Sequence, residues 1–344
     1  MTPLSLNLKV LLLNVENLFL LSDQQFTPEH LKLDEIQWQK LSTSIYNNKP
    51  LQKAKALANV IFETKPDLIL LCEVGGLESL RNFNQLFLND QYSAALVEGN
   101  SDRNIDVGFL IRKDLGVYFD ITTNKNRSIN YLYPHERDSL DAGMTTIGGK
   151  PIQSHKFSRD AAELHLFMRD RNQPFLIVIL THLKSRLDPQ FKDPGGFERR
   201  QAECTALLEI YQELETKFHR KVPIAIAGDM NGLALKASPE TEFLQIYQKT
   251  ELEDVCEVAG LPVDQRATYY QVGRSHRPPD GRQIDYCFLS PLLQRHLKKD
   301  SVHVYRYKDH LGLPMDPPTT LDAKMLLPSD HYPLVFELTG IPIF

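Results

Sequence analysis

Several polar side chains in this sequence stand at the ends of short apolar runs, where a strand would deliver them to the edge of a sheet. In residues 221–232 (K-V-P-I-A-I-A-G-D-M-N-G) an apolar run breaks at Gly228, and Asp229 and Asn231 follow. The same construction recurs along the chain, with these residues at or within the run: Asn14, Glu73, His182, Asp285, Asp330 and His331. Such carboxylates, amides and imidazoles align a water molecule, transfer protons and bind hard cations.

The donor set favours magnesium or manganese, because both ions prefer oxygen ligands and keep several waters. Zinc would require cysteines or more histidines at short spacing, and no H-E-x-x-H occurs. The motifs G-x-x-x-x-G-K-[ST] and G-x-G-x-x-G are also absent from the sequence, which gives little support to a nucleotide-driven kinase or a dehydrogenase. Hydrolysis of a phosphoester fits better, since it needs an in-line water and groups that neutralise charge on the phosphate.

The apolar runs that carry these side chains predict an α/β fold with mixed sheets, because strands alternate with helices at both hairpin and crossover spacing. Residues 9–13, 67–72 and 284–289 are typical of buried strands, and 161–168 with 175–180 predict a hairpin. A helix with one buried face is predicted by apolar residues near 54–61 and ends at a proline, whereas 131–138 is predicted to be a loop. Polar strand ends occur from residue 14 to residue 331, so we expect one domain over 1–344.

Composition limits the classes of function. A net charge of -5 and a sequence pI near 6.1 argue against a protein that coats nucleic acid, although a nuclease with a local basic patch remains compatible. No run approaches the length of a membrane span, and the first residues lack a secretory leader, so a cytoplasmic protein is expected. The cysteines show no C-x-x-C pairing and predict buried, reduced thiols.

Seven short motifs occur in an order that resembles the endonuclease/exonuclease/phosphatase superfamily, which includes deoxyribonuclease I and exonuclease III. Each motif alone is short, but the ordered series spans residues 14 to 331: L-N-V-E-N-L-F, K-P-D-L-I-L-L-C-E-V, I-D-V-G-F-L, T-H-L-K-S, A-G-D-M-N-G, Q-I-D-Y-C-F-L-S and S-D-H-Y-P-L. The resemblance implies a four-layer α-β-β-α sandwich of two packed mixed sheets, with the active site where strand ends converge.

The resemblance also implies roles for individual residues. It implies a metal site formed by Glu73, Asn14 and Asp330, and it makes Asp229 the residue that aligns or deprotonates the attacking water. Asn231 would hold the phosphate or Asp229. His331, oriented by Asp285, and His182 would contact the scissile phosphate. A weaker local match adds these candidates for phosphate binding: Arg159, Arg137 and Tyr133.

Several alternatives stay open at the level of the sequence. Glu16 is as compatible with the surface as with the metal site, and Tyr269 and Tyr270 fit the core better than a stacking role. The loops 18–48, 113–157 and 274–282 would set the substrate and show no interpretable pattern. The sequence therefore favours a magnesium-dependent phosphodiesterase of nuclease type acting on nucleic acid or another phosphoester. The alternatives are a phosphomonoesterase or lipid or inositol phosphodiesterase on the same scaffold, and a non-catalytic binding module.

Overall fold

The computed structural model describes residues 5–168, 170–189, 191–273 and 278–343, and within them the strands form two six-stranded sheets and two short hairpins. In spatial order the first sheet consists of β15 (Leu297–Val304), β16 (Leu334–Pro342), β1 (Ser5–Leu18), β2 (Leu68–Val74), β4 (Asp106–Arg112) and β3 (Tyr92–Ala95). The second sheet consists of β11 (Glu253–Asp254), β14 (Asp285–Leu289), β10 (Ile224–Asp229), β9 (Leu176–His182), β8 (Ala161–Phe167) and β5 (Tyr118–Thr122). The hairpins pair β6 (Thr146–Ile147) with β7 (Lys150–Pro151) and β12 (Tyr269–Gln271) with β13 (Asp280–Arg282).

The α-helices of the described residues connect these strands. They are α1 (Glu35–Gln39), α2 (Leu51–Thr64), α3 (Gly76–Phe87), α4 (Pro134–Asp141), α5 (Phe197–Lys217), α6 (Leu244–Lys249), α7 (Val255–Ala259), α8 (Pro291–Gln294) and α9 (Leu321–Met325). The predicted helix before Pro66 is confirmed as α2, and its last turn is followed by Lys65 in the left-handed conformation. The predicted loop at 131–138 is wrong, because α4 begins at Pro134. A proline at the first helical position is preorganised for a helix, and Glu136 accepts a hydrogen bond from the Tyr133 amide at the cap.

Each six-stranded sheet has one parallel pair at its centre, and its other strand pairings are antiparallel. β1 runs parallel to β2 with α2 between them in the chain, and β9 runs parallel to β10 with α5 between them. Parallel strands need such a crossover connection, usually a helix. The predicted hairpin is confirmed by the antiparallel pairing of β8 with β9. The mixed sheets flanked by helices confirm the predicted α/β sandwich.

Alternate residues of the second sheet serve two different hydrophobic cores. On β9, Val178 and Leu180 pack in the core shared with the first sheet, whereas Ile177 and Ile179 pack in the core that contains α5. On β10, the small residues Ala225 and Ala227 face the first sheet, whose strands β1 and β2 contact β10. Both faces of these strands are buried, which explains why their sequences are continuous apolar runs without polar alternation.

Two further expectations concern cysteines and membrane spans. The side chains of Cys72, Cys204, Cys256 and Cys287 are buried and unpaired, as predicted for reduced thiols. Among the described residues, no helix combines the length and the hydropathy that crossing a membrane requires.

Gly228 is required by the parallel pairing of β9 and β10. Its φ is +144°, and a Cβ atom there would lie 1.8 Å from the carbonyl oxygen of Thr181, its partner in β9. We expect Gly228→Ala to cost several kcal/mol of unfolding free energy, measured by urea denaturation, because backbone atoms must move. Gly116→Ala is the matched control: Gly116 also has positive φ (+66°) but nothing lies within 4 Å of its Cβ position, so about 1 kcal/mol is expected. Equal losses in the two variants would contradict this explanation.

Candidate active site

The predicted site residues converge because four strands end at the same edge of the sandwich. Asn14, Glu73, His182 and Asp229 lie at or near the carboxyl ends of β1, β2, β9 and β10, the two central parallel pairs. Asp285 begins the antiparallel neighbour β14 and pairs directly with Asp229. His331 precedes β16, which runs antiparallel to β1, and therefore reaches the same edge.

These strand ends form a cleft of about 500 Å³. Its lining includes the predicted residues Glu73, Arg159, His182, Asp229, Asn231, Asp330 and His331. Asn14 and Asp285 are 2% and 0% exposed and lie behind this lining, where they contact Asp229 and His331 respectively. The cleft therefore has one layer of groups that line it and a second, buried layer that holds them.

The Asp229 carboxylate is buried and fixed by hydrogen bonds to both of its oxygens. Oδ2 accepts a hydrogen bond from the side-chain Nδ2 of Asn14 at 3.0 Å, and Oδ1 accepts one from the backbone amide of Asn231 at 2.8 Å. Burial and the neighbouring carboxylate of Asp285 raise the pKa of Asp229 to about 7, against the opposing influence of His331 and these hydrogen bonds. Asp229 is thus an oriented carboxylate able to accept a proton near neutral pH.

His331 is held by Asp285. Its Nδ1 lies 2.8 Å from Asp285 Oδ2, which leaves Nε2 facing the cleft, 3.9 Å from Oδ2 of Asp229 and 3.9 Å from Oδ1 of Asp330. Burial alone would lower the pKa of His331, but the carboxylate of Asp285, helped by Asp229 and Asp330, outweighs burial and holds that pKa well above its usual value. The ring is therefore an imidazolium with a fixed orientation.

His182 has the opposite electrostatic environment. It is 3% exposed, and burial followed by the positive charges of Arg159, His331 and Arg103 lowers its pKa well below the usual value. Its Nε2 lies 3.6 Å from Asp229 Oδ2 and 4.0 Å from Glu73 Oε1. These opposite pKa shifts favour the neutral form of His182 and the cationic form of His331.

The oxygen groups on the other side of the cleft come from an irregular part of the first sheet. Glu16 and Asn17 have φ of +50° and +56°, and the β1–β2 register shifts between Asn14 and Leu18. Glu73 also has positive φ (+66°), a conformation that is uncommon outside glycine and clusters at functional sites. The Asn17 amide donates to Glu73 Oε2, and no described donor lies within hydrogen-bonding distance of Oε1.

Two groups of residues have the chemistry of a metal site. Among the described residues, Asp229, Asp285 and His331 place ligand atoms within 4.8 Å of one another. In that cluster His331 and Asp285 are already hydrogen-bonded to each other, so these atoms are not free to bind a metal. Glu73 and Asp330 instead present carboxylates to the cleft, with side chains 13% and 28% exposed, so this oxygen set fits Mg²⁺ or Mn²⁺ better. Glu16 lines the same cleft but is paired with Lys53, at 3.2 Å, and with Lys49.

The three candidate phosphate-binding residues fall in two places. Arg159 lines the cleft and is 7% exposed, and its buried Nε has no hydrogen-bond partner. Arg137 is instead paired with Glu198 outside the cleft lining, and the Tyr133 hydroxyl accepts a hydrogen bond from Arg199. Arg159 therefore joins the cleft, and Arg137 and Tyr133 do not.

Sequence reasoning missed several residues of the site. Arg103 lines the cleft, donates to Asn17 Oδ1 and lies 3.8 Å from Glu73, but its polar turn has no distinguishing pattern. The Thr268 hydroxyl accepts hydrogen bonds from the amides of Ile284 and Asp285 and so fixes the start of β14. Tyr269 lines the cleft beside His331, with ring centroids 5.2 Å apart, so the expectation that it belongs to the core is wrong. Its neighbour Tyr270 is buried, as expected.

Ser329 ties the two ends of the site together. Its hydroxyl donates to the Asn14 carbonyl at 2.6 Å and accepts from the His331 amide at 3.2 Å. Ser329 is the first residue of the S-D-H motif, so that motif is the sequence pattern that could have identified it. The third loop expected to set the substrate, 274–282, lies outside the described residues over 274–277.

Comparison with known proteins finds similarity in fold but no match to a family model or to a curated protein. Solved structures do match over nearly the whole chain. The human nocturnin catalytic domain with bound sulfate is 17% identical, with a TM-score of 0.54 and coverage of 98% of this chain and 96% of that one.

Two further structures give the same result. Danio rerio (D. rerio) TDP2 complexed with a single-strand DNA product is 15% identical, with a TM-score of 0.55 and coverage of 96% and 98% of the two chains. An endonuclease/exonuclease/phosphatase family protein from Bacteroides thetaiotaomicron is 15% identical, with a TM-score of 0.55 and coverage of 98% and 97%. Sequence identity this low establishes the fold alone: this chain shares its fold with these three structures, one of which is an endonuclease/exonuclease/phosphatase family protein.

Proposed function

We propose that this chain is a divalent-metal-dependent phosphoester hydrolase, and specifically a phosphodiesterase of nuclease type. The observation that carries the proposal is the pairing of an oriented carboxylate with an oriented imidazolium in one cleft. Asp229 is fixed at both oxygens, and His331 is fixed by Asp285, with 3.9 Å between Asp229 Oδ2 and His331 Nε2. Because both sheets supply residues to this cleft, we propose that 1–344 acts as a single catalytic domain.

In this proposal Glu73 and Asp330 hold the metal, and Asn14, whose side chain donates to Asp229, lies behind the cleft lining. The fit rests on the oxygen chemistry of these side chains and on the open Oε1 of Glu73. A cation bound there would neutralise negative charge on the phosphate oxygens. Lys324 Nζ lies 3.4 Å from Asp330 Oδ2 and partly balances that carboxylate.

Asp229 aligns the attacking water and accepts its proton. A carboxylate with a pKa near 7 is matched to that task at neutral pH, since general bases work best when their pKa lies near the working pH. The hydrogen bonds from Asn14 and Asn231 restrict the carboxylate to one orientation, so little reorganisation is needed when the water attacks.

His331, Arg159 and His182 bind the phosphate. The His331 imidazolium and the buried Arg159 guanidinium stabilise the charge that develops on the phosphate oxygens. His182 is neutral, so it donates a hydrogen bond without adding a full charge. Two solved structures with this fold support an anionic phosphoester ligand: human nocturnin with bound sulfate, and D. rerio TDP2 with a single-strand DNA product.

The proposed function predicts a metal-dependent activity. Purified protein is expected to nick plasmid or degrade oligonucleotides in Mg²⁺ or Mn²⁺ and to lose that activity in chelator. Asp229→Asn removes the general base, so kcat is expected to fall by about 10²- to 10⁴-fold. Glu73→Gln is expected to weaken metal binding measured by calorimetry. Glu78→Gln, a change on the exposed first turn of α3, is the control and should leave both properties unchanged.

The substrate panel decides between classes of phosphoester. It includes supercoiled plasmid, single-stranded DNA, RNA, a chromogenic diester, a chromogenic monoester, an inositol polyphosphate and sphingomyelin. Turnover confined to monoesters or lipid head groups would keep the cleft chemistry and reject the nuclease assignment. Absence of turnover on all of them, with metal supplied, would contradict the hydrolase proposal.

A further prediction concerns Asp285 as a positioning residue for His331. Asp285→Asn removes the negative charge that stabilises the imidazolium, so we expect kcat to fall at least tenfold with little change in KM. Asp254→Asn is the matched control, because Asp254 is also a buried aspartate of the second sheet but accepts hydrogen bonds from Gln283, Cys256 and Cys287. The control is expected to lose about 1–3 kcal/mol of stability while the folded enzyme keeps its kcat. A similar kcat loss in both variants would show that the Asp285 effect is only structural.

A further inference from the structure

A second pocket next to the cleft is strongly basic. It is an open pocket of about 570 Å³ formed by the β6–β7 hairpin, the start of α4 and the segment that leads into β8. Its lining includes the following side chains, called here the basic pocket: His135, Lys150, His155, Lys156, Lys192 and Arg199. Among the described residues of the lining, three lysines and an arginine outnumber the single carboxylate, Glu136, on a chain whose net charge is -5.

The positive charge of this pocket is poorly neutralised by the protein. Glu136 is already paired with His155, at 2.8 Å. No carboxylate of the described residues lies within 4 Å of the ammonium groups of Lys150 and Lys192, and both lysines are exposed. Arg199 has a buried Nε without a hydrogen-bond partner, 3.5 Å from Glu203, whose oxygens already accept from backbone amides. Lys150 and Lys192 are thus exposed cations without a carboxylate partner among the described residues, and such cations in a concave surface indicate an anionic ligand.

The basic pocket and the cleft are joined by a short segment of chain. Lys156 and Phe157 line the pocket, and Arg159 lines the cleft. Three residue steps of extended chain span at most about 11 Å, so the two sites are neighbours. Asn100 strengthens the junction: it lines the pocket, its amide donates to the Arg159 carbonyl at 3.0 Å, and its side chain donates to the Phe157 carbonyl at 3.1 Å.

We propose that the basic pocket binds phosphates of a single-stranded nucleic acid whose scissile phosphate lies in the cleft. This inference rests on the proposed phosphodiesterase function and specifies the class of its substrate. Arg159 in the cleft and Lys156, Lys192 and Lys150 in the adjoining pocket together suit a polyanion with regularly spaced phosphates. A small monoester does not have such a series of phosphates. A flexible strand can follow two concave sites set close together, whereas a duplex needs an extended basic face, and the acidic net charge of the chain opposes one.

The test uses a double variant that spares the cleft. Lys150→Ala/Lys192→Ala removes two exposed side chains, so folding is expected to be unaffected. Binding of a fluorescein-labelled ten-nucleotide oligothymidylate is measured by anisotropy, in chelator, with Asp229→Asn present in every protein to prevent cleavage. We expect binding to weaken by about tenfold and the log–log salt slope to fall by about 1.4, because each lost phosphate contact on a single strand removes about 0.7.

A control variant that removes the same amount of charge elsewhere distinguishes binding in the basic pocket from a general electrostatic effect. Lys221→Ala/Lys299→Ala also removes two exposed lysines, and neither lines the cleft or the basic pocket. It is expected to change binding less than twofold. In hydrolysis without the Asp229 change, the Lys150/Lys192 variant should keep its kcat/KM on a chromogenic diester, which fills only the cleft, and show a raised KM on the oligonucleotide.

The outcomes distinguish this inference from the proposed function. Unchanged oligonucleotide binding by the Lys150/Lys192 variant, with chromogenic diester still hydrolysed by the wild type, would overturn the basic pocket alone. An equal loss in the Lys221/Lys299 control would also overturn it, as would tighter binding to duplex than to single strand. Failure of the wild type to hydrolyse any phosphoester would instead count against the proposed function, while the anisotropy arm would still report on the pocket.

Discussion

The burial of a carboxylate is the constraint on which the site depends. Asp229 is 1% exposed, and a charge removed from water is strongly destabilising unless neighbouring groups compensate for the lost hydration. The compensation comes from donors on three different parts of the chain: the Asn14 amide, the Asn231 backbone and, at longer range, the His331 ring. The same donors that make burial tolerable also fix the direction of the carboxylate, so stability and orientation have one physical cause.

The two parallel pairs explain why those donors are present. In a sheet with a parallel pair, two carboxyl ends meet at one edge, and packing two such sheets brings four strand ends together. Antiparallel neighbours then add residues from the beginnings of strands, as β14 does with Asp285. The small residues Ala225 and Ala227 contribute indirectly, because they allow β10 to approach the first sheet and place Asp229 beside Asn14.

Much of this architecture was readable from the sequence, and the reasons for success and failure are physical. Strands buried on both faces are continuous apolar runs, so β2, β9 and β10 were visible, and the polar residues at or next to their carboxyl ends marked the site. α4 was missed because none of its residues is buried and it has no apolar periodicity, and only its proline and cap defined it. Arg103 and Tyr269 were missed because their presence in the cleft depends on loop and hairpin positions that local pattern does not encode. Arg137 was proposed from local pattern alone, and its pairing with Glu198 is a tertiary contact.

The hydrogen bonds of the site connect residues that are very far apart in the chain. Asn14 and Asp229 are separated by 215 residues, and Ser329 and Asn14 by 315. Closing such long loops is entropically costly and slows folding, and the contact between Asn14 and Asp229 also requires the two sheets to pack together, since β1 and β10 belong to different sheets. A nascent or partly folded chain therefore has no assembled site, and the proposed hydrolytic activity is expected only when folding is complete.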